Sequence, residues 1–354
     1  MGRTERPQIK TFWLALTYGC NNHCAGCYAE HSQFVDRPMD FDQAIRICGM
    51  MKEMGASDCL LIGGEPTLYP RLAELIRAGS QFDIEFKLVT NGRRLANPLY
   101  IRSLVDVGLK HASISVEGSS AKVHNAVTRT LSFRETMAGV ENCLRLGLSF
   151  NTLLTVSRHN FGEVIPLAEL MHKMGVVNIL FNVGLPSAGG SQEKTESFAL
   201  SPAHTAQIVT DAYLALKAKG IKVKFFATIP LCLFDQSLLD EMMTIGCISD
   251  GVHCHIFYGS GAVFEPNGNV LPCTHFVGRP LFNLSEQSVK TATDFAKVWY
   301  GRKGIHGVFR REIWRYPHEK CKGCRHWGKC VGGCPFLWTH FDPEEIISRK
   351  EVKE

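Results

Sequence analysis

Phe12-Trp13-Leu14-Ala15-Leu16-Thr17, followed at once by Tyr18-Gly19-Cys20-Asn21-Asn22-His23-Cys24-Ala25-Gly26-Cys27-Tyr28, is the stretch on which the rest of the chain is read. The first six residues form an apolar run of strand length. The loop that follows carries three cysteines within eight residues, a spacing that points to metal. Further apolar, β-rich runs fall at Asp58–Ile62, Glu85–Thr90, Ala112–Val116, Phe150–Val156 and Val177–Val183. Between them, segments with helical spacing lie near 41–54, 70–80, 97–107, 133–146 and 162–174, with another at 202–219. Strands alternating with helices predict βαβ units on a parallel sheet. Six such units predict an α/β fold, a partial (β/α)6 TIM-like barrel and not a closed eight-unit one, with functional residues at the C-terminal ends of the strands. After about residue 227 the rhythm stops and the chain turns Gly-, His- and Cys-rich. This predicts two domains, 1–226 and a cysteine-rich 227–354.

The chain has 354 residues, 45% of them apolar and 21% charged, and a net charge of +5. That mix excludes a disordered, collagen-like or fibrous protein. No apolar run approaches the roughly 18–20 residues that span a bilayer, and Met1-Gly2-Arg3-Thr4-Glu5-Arg6 is not followed by an apolar signal segment. The expectation is a soluble, cytoplasmic protein with no membrane partner. Of the 14 cysteines, three sit in the first loop, seven lie after residue 246, and Cys48, Cys59, Cys143 and Cys232 are scattered. Reduced compartments keep thiols unpaired, so motif-spaced cysteines there argue for metal over disulfides.

Three thiolates leave one coordination position open. A structural zinc ion wants four ligands, so a zinc knuckle needs His23 or a distant residue to complete it. A 4Fe–4S cluster on three cysteines instead keeps one iron available to an outside ligand. The loop resembles that of the radical S-adenosylmethionine (SAM) superfamily, whose Cys-x3-Cys-x-aromatic-Cys follows the first strand of a partial barrel. The resemblance implies that Cys20, Cys24 and Cys27 hold a 4Fe–4S cluster. Its open iron would bind the amino and carboxylate groups of SAM, which is cleaved to a 5′-deoxyadenosyl radical. Gly26 departs from the pattern, since the family has an aromatic there near the adenine; Tyr28 is the candidate to replace it. Gly63-Gly64-Glu65-Pro66 matches the motif that holds the SAM amino group: glycines let backbone approach a ligand, and a carboxylate accepts from an ammonium. Thr90-Asn91-Gly92 ends the third strand. In Ser113-Ile114-Ser115-Val116-Glu117-Gly118, Ser115 matches a position near the SAM ribose or carboxylate. Arg129 matches an arginine that pairs with the SAM carboxylate. Asn160 and Asn182 are candidates at strands five and six. Any one of these polar residues alone is as readily a loop cap.

The later cysteines read Cys247-x6-Cys254-x13-Gly268-x4-Cys273 and Cys321-x2-Cys324-x5-Cys330-x3-Cys334. Pro266-Asn267-Gly268-Asn269 is a hairpin signal that brings Cys254 towards Cys273. By themselves these cysteines fit two interleaved zinc sites. With the first loop they resemble the SPASM extension of radical SAM enzymes, an iron–sulfur domain with two auxiliary 4Fe–4S clusters. Its topology implies Cys247, Cys254, Cys273 and Cys334 on the first, and Cys321, Cys324 and Cys330 on the second. The family's last cysteine is missing, because Pro335–Glu354 has none. His340, Asp342, Cys232 and an open iron are the alternatives for that position, and absence of the cluster is another. Residues 302–329 carry nine Lys/Arg against two Asp/Glu, which either offsets cluster charge or docks an acidic peptide. No nucleic-acid motif is present. Cys48, Cys59 and Cys143 fit as small buried hydrophobes.

The resemblance implies an oxidoreductase and peptide maturase that modifies a ribosomally made peptide by oxidative crosslinking. The alternatives are a radical SAM dehydrogenase or epimerase of a small molecule such as an aminosugar, and a zinc-binding interaction protein. Thr274 stands where sulfatase-maturing relatives have Asp, and the next residue, His275, is the candidate general base. Expected partners are a peptide with an acidic leader and an electron donor such as flavodoxin or ferredoxin. A separate peptide-binding protein joins them, since the barrel begins within the first dozen residues and leaves no peptide-binding wing.

Overall fold

Strand β1 (Thr11–Thr17) is apolar along its whole length because both its faces are covered: Phe12, Leu14, Ala15 and Leu16 have no exposed surface. Such a run marks an interior strand of a parallel sheet. The structure, a computed structural model, describes residues 9–29, 37–187, 197–226, 229–248, 254–302, 304–308, 317–328 and 330–344. In it β1 pairs in parallel with β2 (Asp58–Gly63) on one side and with β8 (Gly261–Phe264) on the other. From β2 the sheet continues through β3 (Glu85–Thr90), β4 (His111–Ser115), β5 (Ser149–Val156), β6 (Ile179–Val183) and β7 (Lys224–Phe226), all parallel. Beyond β8 it continues antiparallel through β9 (Asn269–Leu271) to β10 (Phe282–Asn283), giving the order β10-β9-β8-β1-β2-β3-β4-β5-β6-β7.

Helices α1 (Phe41–Glu53), α2 (Leu72–Gly79), α3 (Pro98–Asp106), α4 (Ala121–Thr128), α5 (Phe133–Leu146) and α6 (Val164–Lys173) connect successive strands up to β6. Their starts are written locally. Asp40 accepts from Gln43 N at 2.9 Å ahead of α1, and Asn97 caps α3, whose first residue is proline. The six-unit barrel predicted from periodicity is therefore present. Helix α4, strand β7 and the β8–β10 extension are additions to it.

Residues 227–228, where the rhythm stops, lie outside the described residues. Past them, among the described residues, the chain builds no separate sheet and returns to lengthen the first. Beneath the β8–β9 hairpin, Phe264, Phe282, Phe295 and Trp299 form an aromatic core, and the indole of Trp299 donates to Gly259 O at 3.1 Å. The helix that supplies Phe295 and Trp299, Ala292–Trp299, opens with a Thr291/Asp294 capping box. One buried polar contact ties hairpin to barrel. The hydroxyl of Tyr18 donates to Glu265 Oε1 at 2.7 Å, and Asn269 Nδ2 donates to Oε2 at 3.0 Å. Burial pushes the Glu265 carboxyl up from its ordinary value, so losing a donor there is costly. Tyr18→Phe should lower the urea-unfolding stability of the iron-free chain by about 1–3 kcal/mol. An unchanged midpoint would show that the contact holds nothing.

Candidate active site

The loop 18–28 leaves the C-terminal end of β1 and is tied down from two sides. Its backbone donates to the end of α4, His23 N to Thr128 O at 3.0 Å and Ala25 N to Val127 O at 2.8 Å. From the end of β3, Asn91 Nδ2 donates to Asn21 Oδ1 at 2.7 Å, and Arg93 Nη1 donates to the Asn21 carbonyl. Asn22 N donates to Cys20 Sγ at 3.4 Å. Cys20, Cys24 and Cys27 stand within electrostatic reach of one another. Burial pushes the Cys20 thiol up to about 11, and burial, Glu117 and the neighbouring thiols push Cys24 higher still. Without metal these thiols keep their protons, which binding would displace. Three soft donors on one anchored loop at a strand's C-terminal end fit a three-cysteine iron–sulfur cluster.

The glycines after β2 are required by the chain's own backbone. A Cβ on Gly63, whose φ is +147°, would stand 2.0 Å from Thr17 O, and one on Gly64 would stand 2.5 Å from Tyr18 O. That closeness lets Gly64 N donate to Thr17 O at 2.8 Å and Glu65 N to Gly19 O at 2.9 Å. Glu65, expected to meet an ammonium group, has no exposed surface and is already bonded. Its Oε1 accepts from Thr67 N (3.0 Å), Thr67 Oγ1 (2.6 Å) and Thr90 Oγ1 (2.7 Å), and Oε2 accepts from Asn91 N (2.8 Å). Three donors crowd Oε1 and one reaches Oε2, so Glu65 braces the site. Tyr28, expected near adenine, donates its hydroxyl to Gly63 O at 3.2 Å.

Ser115 is the half-buried last residue of β4. Two residues on, Glu117 accepts from Thr155 N at 3.2 Å and Asn160 Nδ2 at 3.4 Å. Burial pushes its carboxyl up to about 7. Glu117 belongs to this site although only its place in the strand-end motif signalled it. Asn160 is committed to the protein: its Oδ1 accepts from Ser157 N at 2.8 Å, and its Nδ2 also donates to Thr155 O at 3.1 Å. It braces Glu117 and offers no free amide. The Asn182 Oδ1 accepts from the next backbone N–H, Val183, at 3.0 Å. Arg129 is exposed and caps α4 at φ +51°, an uncommon conformation for a non-glycine residue.

Gly26 has φ +71°, and a Cβ there would fall 2.3 Å from the ring of Phe198. Phe198, from the segment after β6, therefore fills the space beside the missing loop aromatic. No local spacing could reveal it, since it comes from far along the chain. Because the folded Glu117 pKa of about 7 lies above the roughly 4.3 of an exposed glutamate, folding takes up a proton between those values. Its contribution is full below about pH 4 and is lost as pH rises through 7. The iron-free chain should lose up to about 3 kcal/mol over that window relative to Glu117→Gln. Parallel pH profiles of the two proteins would refute this.

The later cysteines divide into two groups. Cys254, Cys273 and Cys334 lie within electrostatic reach of one another, brought together by the β8–β9 hairpin and the turn Pro335–Thr339. Cys247 is the fourth cysteine expected with them. It is buried at the end of the helix Gln236–Thr244, where its N–H donates to Met242 O at 2.8 Å and its carbonyl accepts from Phe225 N at 2.7 Å. Its electrostatic neighbour is Tyr213, and burial pushes its thiol up to about 12. His275, the candidate base, turns its Nδ1 to within 3.6 Å of Cys273 Sγ. Burial raises that thiol, and the bonds from His275 and Thr274 more than offset it, leaving it below its ordinary value. His275 is thus placed beside the Cys273 thiol.

Cys321, Cys324 and Cys330 line one cavity. His340 Nδ1 pairs with Thr339 Oγ1 at 2.6 Å, and Asp342 Oδ1 accepts from Glu344 N at 2.9 Å. Neither side chain lines that cavity. Among the described residues, no three His, Cys, Asp or Glu side chains converge closely enough for one metal ion. A cubane sets a wider spacing, since each of its thiolates meets a different iron. None of the 14 cysteines is paired in a disulfide. Part of the basic segment 302–329 lies outside the described residues.

Residues 14–171 match the model of the Radical SAM superfamily, and the chain carries that family's domain with a cysteine-rich region behind it. The family implies a 4Fe–4S cluster and SAM as cofactors. Two curated relatives align over most of the chain. One is the AdoMet-dependent heme synthase of Methanosarcina barkeri (strain Fusaro / DSM 804), 28% identical and covering 93% of this chain and 91% of that protein. The other is the mycofactocin maturase MftC of Mycobacterium ulcerans (strain Agy99), 25% identical and covering 90% and 81%. Among solved structures, Streptococcus suis SuiB bound to its precursor peptide SuiA matches the fold. Its TM-score is 0.71 at 16% identity, covering 93% of this chain and 72% of that one. No helix among the described residues is long and apolar enough to cross a membrane.

Proposed function

We propose that this protein is a radical SAM oxidoreductase that modifies a ribosomally made peptide by an oxidative, crosslink-forming reaction. The observation that carries this reading is the position of Tyr28. It lies within electrostatic reach of Cys20 and Cys27 on one side and of Cys273 on the other, with its ring 6.2 Å from His275. Tyr28 therefore stands between the first thiol loop and Cys273. When bound, the cluster and SAM supply a carbon-centred radical that removes hydrogen from an unactivated carbon.

The chain's own residues do the positioning. Cys20, Cys24 and Cys27 hold the SAM-binding cluster. The backbone at Gly63 and Gly64, Ser115 and the exposed guanidinium of Arg129 offer polar contacts to SAM, the last suited to a carboxylate. Burial keeps the Tyr28 hydroxyl protonated, and it fixes the Gly63 carbonyl. Phe198 supplies the apolar wall that Gly26 lacks. Cys254, Cys273 and Cys334 hold one auxiliary cluster, and Cys321, Cys324 and Cys330 a second. Bound there, such clusters would supply sites for electron transfer. A flavodoxin or ferredoxin supplies the reductant, and a separate peptide-binding protein presents the substrate.

Peptide as substrate is supported by the maturase MftC among the relatives and by the peptide-bound SuiB fold. A small-molecule substrate is the second reading, favoured by the near end-to-end alignment with a heme synthase. Mass spectrometry of a co-expressed candidate peptide separates them: loss of a pair of hydrogens per crosslink supports the first, and an unaltered peptide beside a consumed small molecule supports the second. Cys24→Ala should abolish 5′-deoxyadenosine formation in the reconstituted enzyme. Cys334→Ala should leave SAM cleavage intact while blocking product. If the Cys334 variant still makes product, the auxiliary cluster has no part in the reaction.

A further inference from the structure

The cavity lined by Cys321, Cys324 and Cys330 has a fourth cysteine in its wall, Cys232. It enters from upstream, on the turn Leu231–Leu233 that follows β7. Two contacts independent of the cavity hold that turn against the three-cysteine loop. Leu231 N donates to Cys330 Sγ at 3.4 Å, one residue from Cys232. Arg325 Nη2 donates to Gln236 Oε1, at the start of the helix that follows Cys232. A backbone N–H aimed at a cysteine sulfur is a common way to stabilise a cluster thiolate. Pro230 and Pro317 line the same cavity. Trp327 and Trp338 also line it, giving an apolar shell of the kind that shields a cluster from water.

We propose that Cys232 supplies the fourth thiolate of the second auxiliary cluster, completing Cys321, Cys324 and Cys330 from the segment after β7 and not from the C-terminal segment. This rests on the auxiliary-cluster reading given above. Of the other candidate ligands, His340 and Asp342 are outside the cavity wall, and His326 lines it with its Nε2 3.3 Å from Arg325 Nε. Each thiol gives up its proton to solvent as sulfur binds iron. Four thiolates leave no open iron, which makes this centre an electron carrier and not a substrate-binding one.

The test uses the full chain, reconstituted anaerobically, as wild type, Cys232→Ala, Cys232→Ser, Cys321→Ala and His326→Ala. The readouts are iron and sulfide content and electron paramagnetic resonance, with 5′-deoxyadenosine formation as the check on folding. Wild type should hold roughly twelve irons, and Cys321→Ala about eight. Cys232→Ala should lose about four irons, or show a three-iron signal on oxidation, with SAM cleavage retained. If Cys232→Ala keeps wild-type iron and spectra while Cys321→Ala loses its four, Cys232 is not the ligand and the cluster reading stands. If both keep wild-type iron, there is no cluster at this site and both ideas fall. Loss of iron in His326→Ala but not in Cys232→Ala overturns the assignment in favour of histidine. Should the alanine variant lose SAM cleavage as well, Cys232→Ser decides. An altered spectrum of one cluster supports ligation, and an unaltered one overturns it.

Discussion

A single buried carboxylate sets the geometry on which the active face depends. Glu65 has no exposed surface, and its two oxygens take donors from Thr67, Thr90 and Asn91, while its own N–H reaches Gly19. Three strand ends, those of β1, β2 and β3, are thereby fixed relative to one another. An uncompensated carboxylate in such a place would be strongly unfavourable. Moving the end of β2 or β3 takes donors from that carboxylate, while β1 is held through the Glu65 N–H. The thiol loop inherits this rigidity, because Asn91 is bonded both to Glu65 and to Asn21 within the loop.

Much of this was legible in the sequence. Periodicity located β1–β6 and the helices between them because parallel strands buried on both faces leave long apolar runs. The three-cysteine loop was legible because its ligands are local. What could not be read were relations across the chain. Phe198 beside Gly26 and Cys232 near Cys330 are set by tertiary packing that no local spacing records. Side-chain roles were legible only by residue type. A strand-end glutamate looks equally fit to hold a ligand or a loop, and the donors around Glu65 show that it braces its neighbours.

The thiols illustrate how environment sorts chemically identical groups. Cys48, Cys59 and Cys143 are buried within helices and a strand and behave as small apolar fillers, as their surroundings in the sequence suggested. Cys273 is half-buried, and its neighbour His275 holds it below its ordinary pKa, so its thiolate is the more readily formed. The hydrogen bonds around it set it apart from the three buried thiols.

The parallel pairing of β1 with β8 also bears on how the chain is made. Tyr18 and Glu265 are 247 residues apart, and β1 lacks one of its two flanking strands until that distant segment is synthesised. Contacts of such long range close slowly, since loop entropy must be overcome before they reward folding. Until then β1 presents an open edge, a site of mispairing, directly beside three reactive thiols. The sheet beside the first loop is therefore completed only once residue 264 has emerged, about 250 residues after β1.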